Sequence, residues 1–157
     1  MFWQSAMIDR WIDHEALRHS LASAFAFDPA HIDVTDDVMT LTGPVPPEPR
    51  MLLERTRREG AFPLQLDIFL GGDNLEAQVA DLTGTLERAR VIARNLGAVL
   101  LLGDGPIGHD EQLRVKPDGT VDIVELDGDE MDEERFVVVG SRPFVEQPAE
   151  SAPARAG

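Results

Sequence analysis

The chain has 157 residues, 43% of them hydrophobic, which is enough for one ordinary core and too few for two. Its 29 Asp and Glu against 14 Lys and Arg leave a formal net charge of −15, which disfavours nucleic acid and anionic membrane, since both are bound by basic surfaces. The absence of cysteine and tyrosine excludes disulfides, thiolate metal sites, cysteine nucleophiles and a phenolic general acid.

No apolar run approaches the ~18 residues of a membrane span, and Met1 to Met7 has neither the basic region nor the continuous apolar segment of a secretory signal. The expectation is a soluble cytoplasmic protein with one domain over residues 1–146 and a disordered Pro, Ala and Glu tail over 147–157. Arginine outnumbers lysine thirteen to one, which fits a GC-rich bacterial coding bias and carries no function. The charge is uneven: from Asp104 to Glu134, twelve Asp and Glu face only Arg114 and Lys116.

In chain order, Phe2, Trp3, Met7, Ile8, Trp11 and Ile12 make an unusually apolar start, with Ile8, Trp11 and Ile12 at helical spacing. They read as cover for the core, or, for Trp3 and Trp11, as exposed interface anchors. Asp13 is an N-cap candidate, flanked by Ile12 and Leu17 at staple positions, for a helix through Leu21, Ala24 and Phe25 that ends near Asp28-Pro29. Ile32 and Val34, then Val38, Met39 and Leu41, alternate about Thr35-Asp36-Asp37 as a short hairpin. Four prolines between Gly43 and Pro49 exclude regular structure other than polyproline II. Residues 51–59 fit a helix or an edge strand; strand is preferred because Phe62, Leu64, Leu66, Ile68 and Leu70 alternate and want an antiparallel neighbour across Gly60.

The organising stretch follows. Leu75, Val79, Leu82, Leu86, Ala89, Ala93 and Leu96 trace one stripe of a helix over 74–96, capped by Asp73 or Asn74 and stopped by Gly97. Ala98 to Leu102 is too short for another helix and reads as a central strand covered on both faces, completing a strand-helix-strand unit of a length suited to a parallel crossover. Leu113 and Val115, then Pro117-Asp118-Gly119, then Val121, Ile123 and Leu126, form a hairpin, with Val124 out of phase. Residues 127–134 read as an acidic connector, and Phe136 to Val139 as a last edge strand.

Candidate sites are few. If the strand-helix-strand unit is parallel, Asp73, Asp104, His109 and Asp110 share the carboxyl end of the sheet, where carboxylates and an imidazole could hold Mg²⁺ or Mn²⁺. Asp and Gly are also ordinary turn residues, and no His-x-His or His-Glu-x-x-His spacing supports the metal. Gly71-Gly72-Asp73 lacks the Gly-Lys-Ser/Thr of a phosphate loop, and Asp127, Asp129 and Asp132 miss the EF-hand offsets. His14, His19, His31, Ser20 and Ser23 have no catalytic partners at suitable spacing, so no catalytic residue and no cofactor is assigned. The remaining candidate is an acidic binding surface of Asp104, Asp110, Glu111, Asp122, Glu125, Asp127, Asp129 and Glu130, which could steer a cationic protein; its bland alternative is a solvated, solubilising face.

The expected fold is α+β, a mainly antiparallel sheet of five to seven strands with the 13–26 and 74–96 helices on one face. That order over residues 13–126, in a small acidic chain, resembles type III secretion chaperones and is similar to several toxin-immunity proteins. The resemblance is one of architecture and transfers no site residues. It implies a non-enzymatic protein that captures a basic protein partner, or a secretion-type chaperone working as a homodimer through an apolar seam at Trp3, Trp11 or residues 98–102. A divalent-metal enzyme is the third possibility.

Overall fold

The structure, a computed structural model, describes residues 5–37, 39, 50–71, 82–103, 110–133 and 135–145. They form an α+β fold around one eight-stranded, mostly antiparallel sheet, one strand more than the upper expectation. The strands are β1 (Ser5–Ile8), β2 (Ile32–Thr35), β3 (Arg50–Arg57), β4 (Leu64–Gly71), β5 (Leu100–Leu102), β6 (Glu111–Val115), β7 (Val121–Leu126) and β8 (Val138–Pro143). Their order is β2-β3-β4-β1-β5-β6-β7-β8, with β2–β3 the one parallel pair.

The additional strand is β1, which corrects the helical reading of the first residues. Ile8, Trp11 and Ile12 do recur at helical spacing, but Ala6, Met7 and Ile8 are buried in succession, as a strand with both faces covered requires. Ser5–Ile8 pairs antiparallel with Leu64–Asp67 on one side, and Ala6–Ile8 pairs antiparallel with Leu100–Leu102 on the other. β4 and β5 therefore run in the same direction, as the crossover reading held, but they are not neighbours, because β1 lies between them.

Two long helices cover one face. Helix α1 (His14–Phe25) opens at Asp13, whose carboxylate accepts from the Ala16 amide at 2.8 Å, and closes at Ala26 in the left-handed region. Helix α2 (Leu82–Leu96) buries Leu86, Ala89, Ile92 and Ala93 and stops at Gly97, whose φ of 59° suits a residue without a Cβ. The proposed first turns of this helix, residues 74–81, lie outside the described residues, as do the second arm of the hairpin after β2 apart from the exposed Met39, the proline-rich crossing and the tail.

Strand alternation sorts the side chains. Toward the helices go Ala6, Ile8, Met51, Leu53, Leu64, Leu66, Ile68, Leu100, Leu102, Leu113, Val115 and Ile123, the main core. Met7, Leu101, Val124 and Leu126 point the other way and join Phe62 in a second cluster. The acidic connector supplies part of its cover: a short helix α3 (Gly128–Asp132) contributes Met131, and Phe136 and Val138 follow. Val124 is out of phase with the main core because it belongs to this second one.

The β4 alternation gives a direct test of register. Leu64→Ala, at a fully buried site, should cost about 2–5 kcal/mol of unfolding free energy, whereas Phe69→Ala, at 48% exposure, should cost well under half of that in chemical denaturation. The reverse ranking would mean that the strand is slipped by one residue.

Candidate functional site

The β6–β7 hairpin and the segment after it place the acidic residues. Pro117-Asp118-Gly119 makes the turn, with Gly119 at φ 89° and its amide donating to the Lys116 carbonyl. Asp118 accepts from both the amide and the hydroxyl of Thr120, and these bonds hold its carboxyl below the usual carboxylate range. At the open end of the hairpin Leu126 N–H donates to the Asp110 carbonyl, and Asp127 caps α3 by accepting from the amides of Asp129 and Glu130. The Asp127 carboxylate thus has a structural duty as well as a charge.

The proposed acidic surface divides on inspection. Arg114 donates to Asp122 through Nε at 2.9 Å and Nη2 at 2.5 Å, across a directly paired position on the face away from the long helices. Hydrogen bonding to that guanidinium holds the Asp122 carboxyl low, so Asp122 carries its charge paired with Arg114. Glu111 is held by a similar fork from Arg142, and Glu130 by Arg135 at 2.8 Å. Both arginines have their pKa raised, first by those hydrogen bonds. Sequence distance hid these partners: Arg142 is 31 residues from Glu111 and reaches it only because β8 pairs with β7.

What remains is a corner. Glu125 sits at the helix side of the rim beside Gly140, Asp127 and Asp129 begin α3, and Asp132 and Glu133 end it. Glu125, Asp129, Asp132 and Glu133 are exposed, and no ion pair among the described residues engages them. Asp110 approaches the same corner, its Oδ2 lying 3.5 Å from where a Cβ on Gly128 would stand. Asp104 lies outside the described residues.

The metal alternative cannot be assembled from the described residues: Asp73, Asp104 and His109 lie outside them and only Asp110 is placed. Among the described residues no group of three His, Asp or Glu could hold an ion. His14 instead meets Asp36 at 3.0 Å, His19 lies 3.6 Å from Glu15, and His31 packs edge-on against Phe27. Of the positions named for an apolar seam, Trp11 is half-buried against the core with Arg55 and Arg57 over its ring at 4.2 and 3.9 Å, and Leu100–Leu102 are fully buried. Trp3 lies outside the described residues. Among the described residues no helix is long and apolar enough to cross a membrane.

The basic run from Arg50 to Arg58 is likewise absorbed. Arg50 meets Asp33, Arg55 forks onto Asp36 while donating to the Ile12 carbonyl, and Arg58 donates to Gln65. Comparison with known proteins adds no identity: no family model, no curated protein and no solved structure matches this chain.

The Arg114–Asp122 pair makes a pH-dependent contribution whose sign follows from the lowered acid. It is fully present above the unfolded-state value of about 4 and is lost as pH falls through the lower folded value. Asp122→Asn should therefore cost roughly 1 kcal/mol at neutral pH, and the difference from the parent should shrink in denaturation curves taken at successively lower pH. A penalty independent of pH would show that the pair contributes nothing through its charge.

Proposed function

We propose that the protein is a non-catalytic binding protein that captures a basic protein partner at its acidic corner, as a toxin-immunity protein does. The observation that supports this is the set of exposed carboxylates Glu125, Asp129 and Asp132, which no ion pair among the described residues engages although Asp122, Glu111 and Glu130 nearby are each paired with an arginine. Carboxylates held apart from guanidinium groups on a chain of net charge −15 retain an outward field, and such a field raises association rates with cationic partners and falls with ionic strength. The corner is also well supported. β7 is paired on both edges, and the α3 cap fixes Asp127, so a partner would meet a largely pre-formed surface.

The test is capture from a lysate of the source cells at ionic strengths of about 0.05 M and about 0.5 M. The reading expects a basic protein retained at the lower salt, released at the higher, and bound at least tenfold more weakly by a Glu125→Gln, Asp129→Asn double variant. Retention of only neutral or acidic proteins, or an affinity indifferent to those two substitutions, would overturn it.

A further inference from the structure

We propose that the outer edge of β8 takes up an extended segment of the basic partner as a ninth strand, with one Lys or Arg of that segment seated beside Gly140 against Glu125. The inference deepens the reading of the acidic corner and rests on it for the partner's charge. β8 ends the sheet, and among the described residues no backbone group pairs with its free side. A free strand edge is a row of unpaired amides and carbonyls on which another strand can be laid. The opposite edge is a poorer template, since β2 has four residues and Arg18 Nε already takes the Ile32 carbonyl at 3.0 Å. Pro143 has no N–H, which limits the usable stretch of β8 to residues 138–142.

The side chains on this margin define what the added strand carries. Glu125 is paired with Gly140, and its Oε1 lies 3.3 Å from where a Cβ on Gly140 would stand, so the carboxylate takes the space that a side chain at 140 would fill. Directly opposed residues of neighbouring strands share a face at about 5 Å, so a residue laid opposite Gly140 projects beside that carboxylate, within reach of a Lys or Arg. At the next position on the same face stands Arg142, held by Glu111, and it would repel a second cation placed opposite it. On the other face Ser141 is paired with Val124 of the second cluster. Three of the five exposed large apolar side chains among the described residues, Val137, Val139 and Val145, lie on or beside this strand, so the margin lacks apolar cover. The segment it fits has one Lys or Arg flanked by apolar or β-branched residues and is not a run of cations. A second copy of this chain does not fit, because β8 pairing with itself about Gly140 would bring two Glu125 carboxylates together on chains of net charge −15 each.

The probe is the peptide acetyl-Thr-Val-Thr-Val-Lys-Val-Thr-amide, titrated into the full-length protein labelled with ¹⁵N at an ionic strength of about 0.05 M. It should produce saturable amide shifts at Val139, Gly140, Ser141 and Arg142, with half-saturation near or below about 1 mM. Exchanging its Lys for Glu should weaken binding at least fivefold, and Glu125→Gln in the protein should weaken the parent peptide about threefold. Two N-methylated peptides, blocked at the odd or at the even amides, separate strand addition from charge attraction: one should lose binding and the other keep it, because only alternate amides of an added strand face β8. Equal binding of the Lys and Glu peptides, or of the two N-methylated ones, would overturn the proposal. Absence of saturable shifts at the β8 amides would overturn it too, and if the shifts fall on Asp129 and Asp132 instead, the acidic corner stands without the added strand.

Discussion

The strand β1 holds the molecule together. It stands between β4 and β5 and bonds antiparallel to both, so among the described residues it is the only link in the ladder between the β2-β3-β4 side and the β5-to-β8 side. Neighbouring strands lie roughly 4.8 Å apart, so β4 and β5, about twice that distance from one another, cannot close directly without moving both halves of the core. Its exit is fastened as well, with the Asp9 amide donating to the Val99 carbonyl and the Val99 amide donating to the Asp9 carboxylate at 2.9 Å. Ala6, Met7 and Ile8 are all buried, which gives this short strand apolar contact on both faces to offset its length.

From that placement the two faces acquire different characters. Ala6 and Ile8 meet the floor on which α1 and α2 pack, whereas Met7 joins Leu101 and Phe62 in a smaller cluster that α3 and Phe136 cover only in part. The partly covered face is where polar groups are drawn inward: the Arg58, Gln65, Asp67, Ser5 chain lies along it, and Gln112 stands across a small cavity from them. The same alternation splits the acidic residues. Asp122 turns to the face of Arg114, Glu125 turns to the helix side, and α3 carries the remainder around the end of the sheet. Net charge measures how much acid the chain holds; pairing geometry decides how much of it stays exposed to a partner.

Much of this was legible in the residues where a pattern is local. The Asp13 cap, the Gly97 stop, the alternation of Leu64, Leu66 and Ile68 and the Pro117-Asp118-Gly119 turn each depend on a few neighbouring positions, and each appears where its physical cause puts it. The ambiguous run after Arg50 became a strand because a full-length neighbour, β4, pairs with it over eight positions. β1 was missed because three successive buried residues, Ala6, Met7 and Ile8, carry no period of their own and the next apolar residues imitate a helix. The ion pairs at the candidate site depend on how the elements fold together. Arg142 reaches Glu111, and Arg135 reaches Glu130, only once β8 and the turn after α3 are in place, and no spacing rule signals such contacts. The cavity was invisible for the same reason, since Ser5, Gln65, Leu101, Gln112 and Phe136 come from five separate segments.

Amide hydrogen exchange on β1 tests the central claim most directly. If β1 is the interior link between the two halves, the amides of Ala6, Met7 and Ile8 should exchange as slowly as those of the central β4 and β5 residues, opening only with global unfolding. Exchange of these three amides at the rate of an exposed loop residue such as Asp37 would contradict it, and the sheet would then have to be rebuilt without its middle strand.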